Sequence, residues 1–273
     1  MLSKIKYNHL SYSQINTFIN CPHKYKLIYI DKIQSNSESI ESYMGKVVHE
    51  VLEWMYNKKK NYYIWDVIED KYKKKWNENW HPYIYIAPIR KKYDKSYFMN
   101  LGLECLRNYY RNNSGPNIST ENLVGNEIVV NTRIGKYTFK GIIDRIDENE
   151  EYIEIHDYKT GKPNTERMMK KDMQLIIYLL AIKPKYPNKK IALNWHFLKN
   201  KNKKEQHIRI VFDTDNIELI KEKILSHAHN IKSAIKQDNF PPKESFLCYW
   251  CYLWNDCEAK NIYNKINPSI NAN

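Results

Sequence analysis

Three stretches between residues 123 and 160, LVGNEIVVN, GKYTFKGIIDRID and EYIEIHDYKT, alternate apolar and polar side chains with the period of two that a strand imposes. A short acidic turn at Glu148–Glu151 joins the last two, so they read as an antiparallel pair. Around them the period is helical. Residues 11–30 open at a Ser cap, break near Cys21-Pro22 and resume; SNSES at 35–39 reads as a polar loop; Met44, Val47, Val48, Val51, Leu52 and Met55 recur at helical spacing within Ile40–Asn57. Residues 62–113 read as helical up to Gly115-Pro116, and 165–183 as one crossover helix. IALNWHFL and HIRIVF read as further strands around the Lys-rich loop 199–204, and Thr214 to Lys236 as a last helix. This order predicts an α/β core, a sheet with one crossover helix, carrying helical additions.

The strand Tyr152–Lys159 carries the chemistry. Alternation puts Ile153, Ile155, Asp157 and Lys159 on one face, and in the preceding strand Ile142, Asp144 and Ile146 on another. Two carboxylates and a lysine are thus aimed from apolar faces of adjacent strands, where charge is costly unless paired or bound to a metal. A half-buried Asp–Lys salt bridge is the plain alternative. The other is a hard divalent cation, which takes one or two carboxylates and leaves room for substrate phosphates. Such an ion acidifies a bound water, and a lysine two residues past the acid can orient that water: the chemistry of phosphodiester hydrolysis.

Forty-four basic residues against 31 acidic ones give a formal charge of +13, which favours a polyanionic partner, although a Lys-, Asn-, Ile- and Tyr-rich composition accounts for part of the surplus. No apolar run approaches the roughly 18 residues of a membrane span, and the first residues lack the apolar core of a secretory signal, so the expected setting is intracellular and cytoplasmic, without a membrane partner. The five cysteines fit no disulfide framework in that setting. Cys248, Cys251 and Cys257 form C-x2-C-x5-C, a spacing that can wrap one metal centre, with Cys21 or Cys105 as a fourth ligand.

G-I-I-D-R-I-D followed by I-H-D-Y-K-T-G-K, with thirteen residues from Asp144 to Asp157, resembles the RecB-like branch of the PD-(D/E)XK nucleases. Gly45-x3-His49 resembles that branch's upstream His motif, Gln174-x3-Tyr178 its Q-x3-Y motif, and Glu127 stands in the strand where the family often carries an acid. Cys-Pro at 21–22 with C-x2-C-x5-C near the other end resembles the iron–sulfur members, the AddB-type and CRISPR-associated adaptation nucleases. The resemblance implies a restriction-endonuclease-like fold, a central mixed sheet flanked by helices, in a single nuclease domain over 1–273. Within it, 1–35 and 237–262 bind the cluster, 54–115 is a helical insertion and 120–236 the catalytic core. It implies catalysis by Asp144, Asp157 and Lys159 and Mg²⁺ or Mn²⁺ held by His49, Asp144 and Asp157, with Glu127 a further acid. Gln174 and Tyr178 would touch substrate or brace Lys159, and packing of a polar-edged helix is their alternative. It implies a [4Fe–4S] cluster, with Zn²⁺ the competitor, on Cys21, Cys248, Cys251 and Cys257; Cys105 matches nothing and reads as a core thiol.

The resulting expectation is a metal-dependent DNA exonuclease acting on single-stranded ends in recombination, repair or replication. Trp65, Trp76, Trp80 and the tyrosines among Lys59, Lys60, Lys73–Lys75, Lys91 and Lys92 would offer stacking platforms and charge to a single strand, a Tyr-rich solvated helix being the alternative. The chain carries no Walker P-loop, so any helicase motor is another protein. The alternatives are a nuclease trimming DNA for a recombination or CRISPR-type adaptation complex, and a non-catalytic zinc-stabilised nucleic-acid-binding module, against which the intact Asp144/Asp157/Lys159 set argues.

Overall fold

The computed structural model describes residues 9–33, 37–56, 63–87, 92–113, 115, 119–212, 217–254 and 257. The expectations placed on Asn57, Lys59, Lys60, Lys91 and Pro116, on 35–36 and 214–216, and on 255–256 and 258–262, lie outside the described residues. The chain opens with α1 (Tyr12–Asn20), where Ser11 and Gln14 form a reciprocal capping box. Cys21 Sγ then accepts the N–H of Lys24 in α2 (Pro22–Tyr25), with Pro22 at the helix start, and a wide π-turn over Lys26–Ile30 follows. The short strand β1 (Glu38–Ser39) pairs with β2 (Ile84–Tyr85). Between them run α3 (Ile40–Met55) and α4 (Trp65–Glu78), and α5 (Lys95–Asn112) follows β2, so the single helical stretch expected over 62–113 is two helices separated by a strand.

The central sheet has the order β3 (Leu123–Ile134), β4 (Tyr137–Glu148), β5 (Tyr152–Lys159), β6 (Lys190–Phe197), β7 (His207–Val211). β5 and β6 run parallel and the remaining pairs antiparallel. A parallel pair needs a crossover, and α6 (Glu166–Met169) and α7 (Met173–Ile182) supply it. Asp172 divides the expected 165–183 helix by accepting the N–H groups of Gln174 and Leu175 as the N-cap of α7. The Lys-rich loop holds a short helix, α8 (Lys203–Gln206), and α9 (Ile217–Gln237) is followed by a 3-10 turn over Phe246–Trp250.

Two cores result. One packs Ile153, Ile155, Leu193 and Trp195 of the sheet against α1, α7 and α9 through Ile15, Leu175, Ile176 and Ile224. The other lies among α3, α4 and α5, where Ile68, Tyr72 and Trp76 follow one another every fourth residue and all are buried. Of the aromatic residues expected to stack on a single strand, Trp76 and Tyr72 are core, whereas Trp65 and Trp80 are half-buried. The lysines beside them face acids, Lys73 with Glu69 at 2.7 Å and Lys75 with Glu50 at 3.0 Å.

Gly141 of β4 lies under the ring of Tyr178 on α7, where a Cβ would stand 2.4 Å from Tyr178 Cε1. Gly141→Ala is expected to displace that ring and destabilise the fold by ~1–3 kcal/mol, read from denaturant unfolding.

Candidate active site

The helices α3 and α7 meet the sheet at the C-terminal end of β5 and the adjoining part of β4. Tyr158 N–H donates to Asp144 Oδ2 at 2.7 Å, fixing one carboxylate oxygen against the neighbouring strand. The other, Oδ1, lies 3.4 Å from His49 Nδ1. His49 Nε2 is 3.0 Å from the Tyr158 carbonyl, to which it donates, and this holds the ring with Nδ1 facing Asp144. Gly45, one turn earlier on α3, permits this approach: a Cβ there would meet Thr160 Oγ1 at 3.2 Å, just past the end of β5.

Glu127 stands across from Asp144 on β3, between the registered pairs Asn126–Arg145 and Ile128–Ile143. Its backbone is left-handed, φ +47°, an uncommon state for a residue with a Cβ. The strict alternation expected of β4 fails here too: Ile142 is 46% exposed, whereas Ile143 and Ile146 are both buried, so Ile142 and Ile146 do not share an apolar face. Donor atoms of His49, Glu127 and Asp144 all lie within 4.8 Å of one another. Burial, and then the Asp144 charge, raises the Glu127 carboxyl. Burial also pushes Asp144 up, but the His49 charge and hydrogen bond and the Tyr158 N–H prevail and hold it below the ordinary range. Burial lowers His49, and Asp144 more than reverses this.

Asp157 and Lys159 form the neighbouring pair. Lys159 Nζ reaches Asp157 Oδ2 at 2.7 Å and Gln174 Oε1 at 2.8 Å. Gln174 Nε2 donates to Tyr178 Oη at 3.0 Å, and that hydroxyl donates to the Ile142 carbonyl at 2.6 Å. Gln174 and Tyr178 therefore brace Lys159 and tie α7 to β4. Burial raises the Asp157 carboxyl to about 6 against the pull of Lys159, and Lys159 is raised because Asp157 outweighs its own burial. The expected metal set of His49, Asp144 and Asp157 is thus brought together in part: Glu127 completes the group within 4.8 Å, and the Asp157 carboxylate is turned to Lys159.

Sequence reasoning missed the buried polar network behind this site. The Arg145 guanidinium, 5% exposed, donates to the hydroxyls of Tyr109 and Tyr158 at 2.9 Å each and to His156 Nδ1 at 2.9 Å, faces Tyr56 and pairs with Asp147 at 3.3 Å. Arg145 thereby holds the residue whose backbone serves both Asp144 and His49. The alternation that separates Asp147 from Asp144 was a visible signal; its partners on α3 and α5 were not. Arg145→Met is expected to lower stability by ~3–5 kcal/mol, because Asp147 loses its buried cation, and thermal unfolding reads it.

The four cysteines Cys21, Cys248, Cys251 and Cys257 line one cavity of about 310 Å³. Cys21 Sγ accepts the backbone N–H groups of Lys24 and Lys243, each at 3.5 Å. Cys105 sits apart, buried in α5, where burial pushes its thiol up to about 12.

A mixed sheet flanked by helices, presenting carboxylates and a lysine from adjacent strands and a histidine from the helix against them, defines a class in which a hard divalent cation can serve phosphate chemistry. The chain belongs to the PD-(D/E)XK nuclease superfamily, whose family model matches residues 9–258, and its fold is the restriction-endonuclease-like fold of that group. Nucleases of this superfamily use divalent metals and take DNA as substrate. Among solved structures, the chain is similar to a "Putative exonuclease" from Eubacterium rectale, at 14% identity and TM-score 0.49 over 88% of this chain and 86% of that one. It is also similar to the protein SSO0001, at 18% identity and TM-score 0.30 over 81% and 96%. No curated protein matches the chain. Family membership rests on the family model alone. No helix among the described residues is long and apolar enough to cross a membrane.

Proposed function

We propose that this chain is a single nuclease domain that hydrolyses phosphodiester bonds of DNA with Mg²⁺ or Mn²⁺, working from single-stranded ends. The observation that carries the reading is the convergence of His49, Glu127 and Asp144 beside the Asp157–Lys159–Gln174 chain. The donor set fits a hard cation: two carboxylates and an imidazole whose Nδ1 faces them and would give up its proton to the ion, with the mutual repulsion of the acids to be offset. When bound, the ion would acidify a water and offset the charge gathering on the phosphate. Lys159 supplies a second, fixed cation. Two of its three N–H donors go to Asp157 and Gln174, which leaves one for a phosphate oxygen or the attacking water. Tyr178 and Asp172 keep α7, and with it Gln174, in register with the sheet.

The four cysteines are proposed to hold a [4Fe–4S] cluster joining the first helices to the far end of the chain. Their cavity is about ten times the ~30 Å³ of one water, room for a multi-atom group. Service to a helicase or a recombination or adaptation complex fits a nuclease domain whose 273 residues hold no Walker P-loop. The polarity of action is tested with end-labelled linear single strands, linear duplex and circular single strands in Mg²⁺. Degradation of linear single strands with circles spared is expected; equal cutting of circles would replace the end-directed activity with an endonuclease.

A further inference from the structure

The rung of the sheet next to the cation site is apolar and open. Val129 and Ile142 are registered partners on β3 and β4, and they are 52% and 46% exposed. Val129 is two residues from Glu127 and Ile142 two residues from Asp144, so the pair lies one rung, about 7 Å of strand, from two of the three donors. Cross-strand partners bring their Cβ atoms within about 5.5 Å, so the two side chains form one continuous patch.

Core packing does not account for this pair. The opposite face of the same strands is the buried one: Val130, Phe139 and Ile143 join the core that α7 shares, Thr132 Oγ1 donates to the Leu180 carbonyl, and Gly141 lies under Tyr178. On the other side the end of α3 covers the sheet at Asn126, which donates to the Tyr56 carbonyl at 3.1 Å, and at Arg145, which faces the Tyr56 ring. The left-handed residue Glu127 separates that covered stretch from Val129. A single exposed aliphatic is ordinary, but a registered β-branched pair at the rim of a charged site is not. A phosphate drawn to the cation site carries its sugar and base within the reach of one rung. Carboxylates, imidazole and lysine suit the phosphate, and the aliphatic pair suits the flat apolar face of a base. Every base has such a face, and a duplex keeps it stacked on its neighbours, so an unpaired nucleotide is the one that can offer it.

We propose that Val129 and Ile142 are the seat for an unpaired base beside the cleaved bond and thereby select single-stranded ends, an inference resting on the nuclease reading above. The seat takes any base, because aliphatic side chains offer no hydrogen bond to a base edge. Asn131 and Lys140 form the next rung, where the ammonium suits the following phosphate. The pair positions substrate and does not touch the reacting atoms.

The test is the double variant Val129→Thr with Ile142→Thr, which keeps the β-branched shape and the charge of the chain and removes apolar surface. Fluorescence anisotropy in chelator compares a single-stranded oligonucleotide with its abasic counterpart, which has the same sugars and phosphates. The wild type should bind the base-bearing strand at least about tenfold more tightly than the abasic one. The variant should lose about tenfold of that preference while binding the abasic strand as the wild type does. The exchange Val129→Ile with Ile142→Val keeps the surface apolar and should keep the preference. If the double threonine variant does not fold, Val129→Thr alone, at the more exposed position, carries the test with an expected loss of about threefold. An undiminished preference in the variant, or an equal loss on both strands, overturns the seat while leaving the nuclease intact. Absence of cleavage by the wild type in Mg²⁺ or Mn²⁺ would instead overturn the nuclease reading, with the chelator comparison still judging the seat. Unchanged DNA binding, together with a wild-type dimer that the variant dissociates in analytical ultracentrifugation, would assign the patch to a second copy of this chain and overturn the proposal.

Discussion

Asp144→Ala and Asp157→Ala are each expected to lower DNA cleavage by at least ~10³-fold while leaving DNA binding in chelator close to wild type. The two losses have different origins. Asp144 shares the group with His49 and Glu127 and is pinned by the Tyr158 N–H, so its removal dismantles the cation site. Asp157 holds the Lys159 ammonium, so its removal frees the lysine from the geometry that Gln174 otherwise shares. Binding should survive because neither acid attracts phosphate. Quenched single-turnover kinetics on end-labelled DNA, with anisotropy on the same substrate, checks both halves. Wild-type cleavage by Asp157→Ala would remove that residue from the chemistry.

Cys21→Ala is expected to abolish the brown colour and the broad absorbance near ~400 nm of anaerobically purified protein. It should also lower the melting temperature by ~10–20 °C. That figure follows from treating the cluster as a crosslink: Cys21 and Cys248 are 227 residues apart, and closing a loop of that length contributes about 5 kcal/mol by restricting the unfolded chain. For a chain of this size, each kcal/mol shifts the midpoint by about 2–4 °C. Cys105→Ala, remote from the cavity, should keep the colour. A colourless anaerobic wild-type preparation with one zinc per chain would replace the cluster with zinc.

The parts of this fold legible from sequence are those governed by local period. Asp157 and Lys159 lie two residues apart on one strand, and Gln174 and Tyr178 four apart on one helix; each pair meets as that spacing dictates. Glu127 needed more, because its place opposite Asp144 depends on strand register and on a left-handed backbone that no spacing announces. Arg145 was illegible for a related reason: its partners Tyr56, which caps the end of α3, and Tyr109 of α5 are brought in by tertiary packing. The helical insertion misled through its charge. Lysines dominate its composition, yet Lys73 and Lys75 are occupied by Glu69 and Glu50, and the every-fourth-residue spacing of Ile68, Tyr72 and Trp76 marks an inward stripe. The stripe was the better guide.

The central claim is tested most directly by incubating 5′-end-labelled single-stranded DNA with the purified chain in Mg²⁺, then in excess chelator, then with Mg²⁺ or Mn²⁺ restored. The account predicts short products with the ion, intact DNA in chelator and recovery of cleavage on re-addition. Cleavage that continues unchanged in chelator, or DNA that stays intact with either ion, would contradict it.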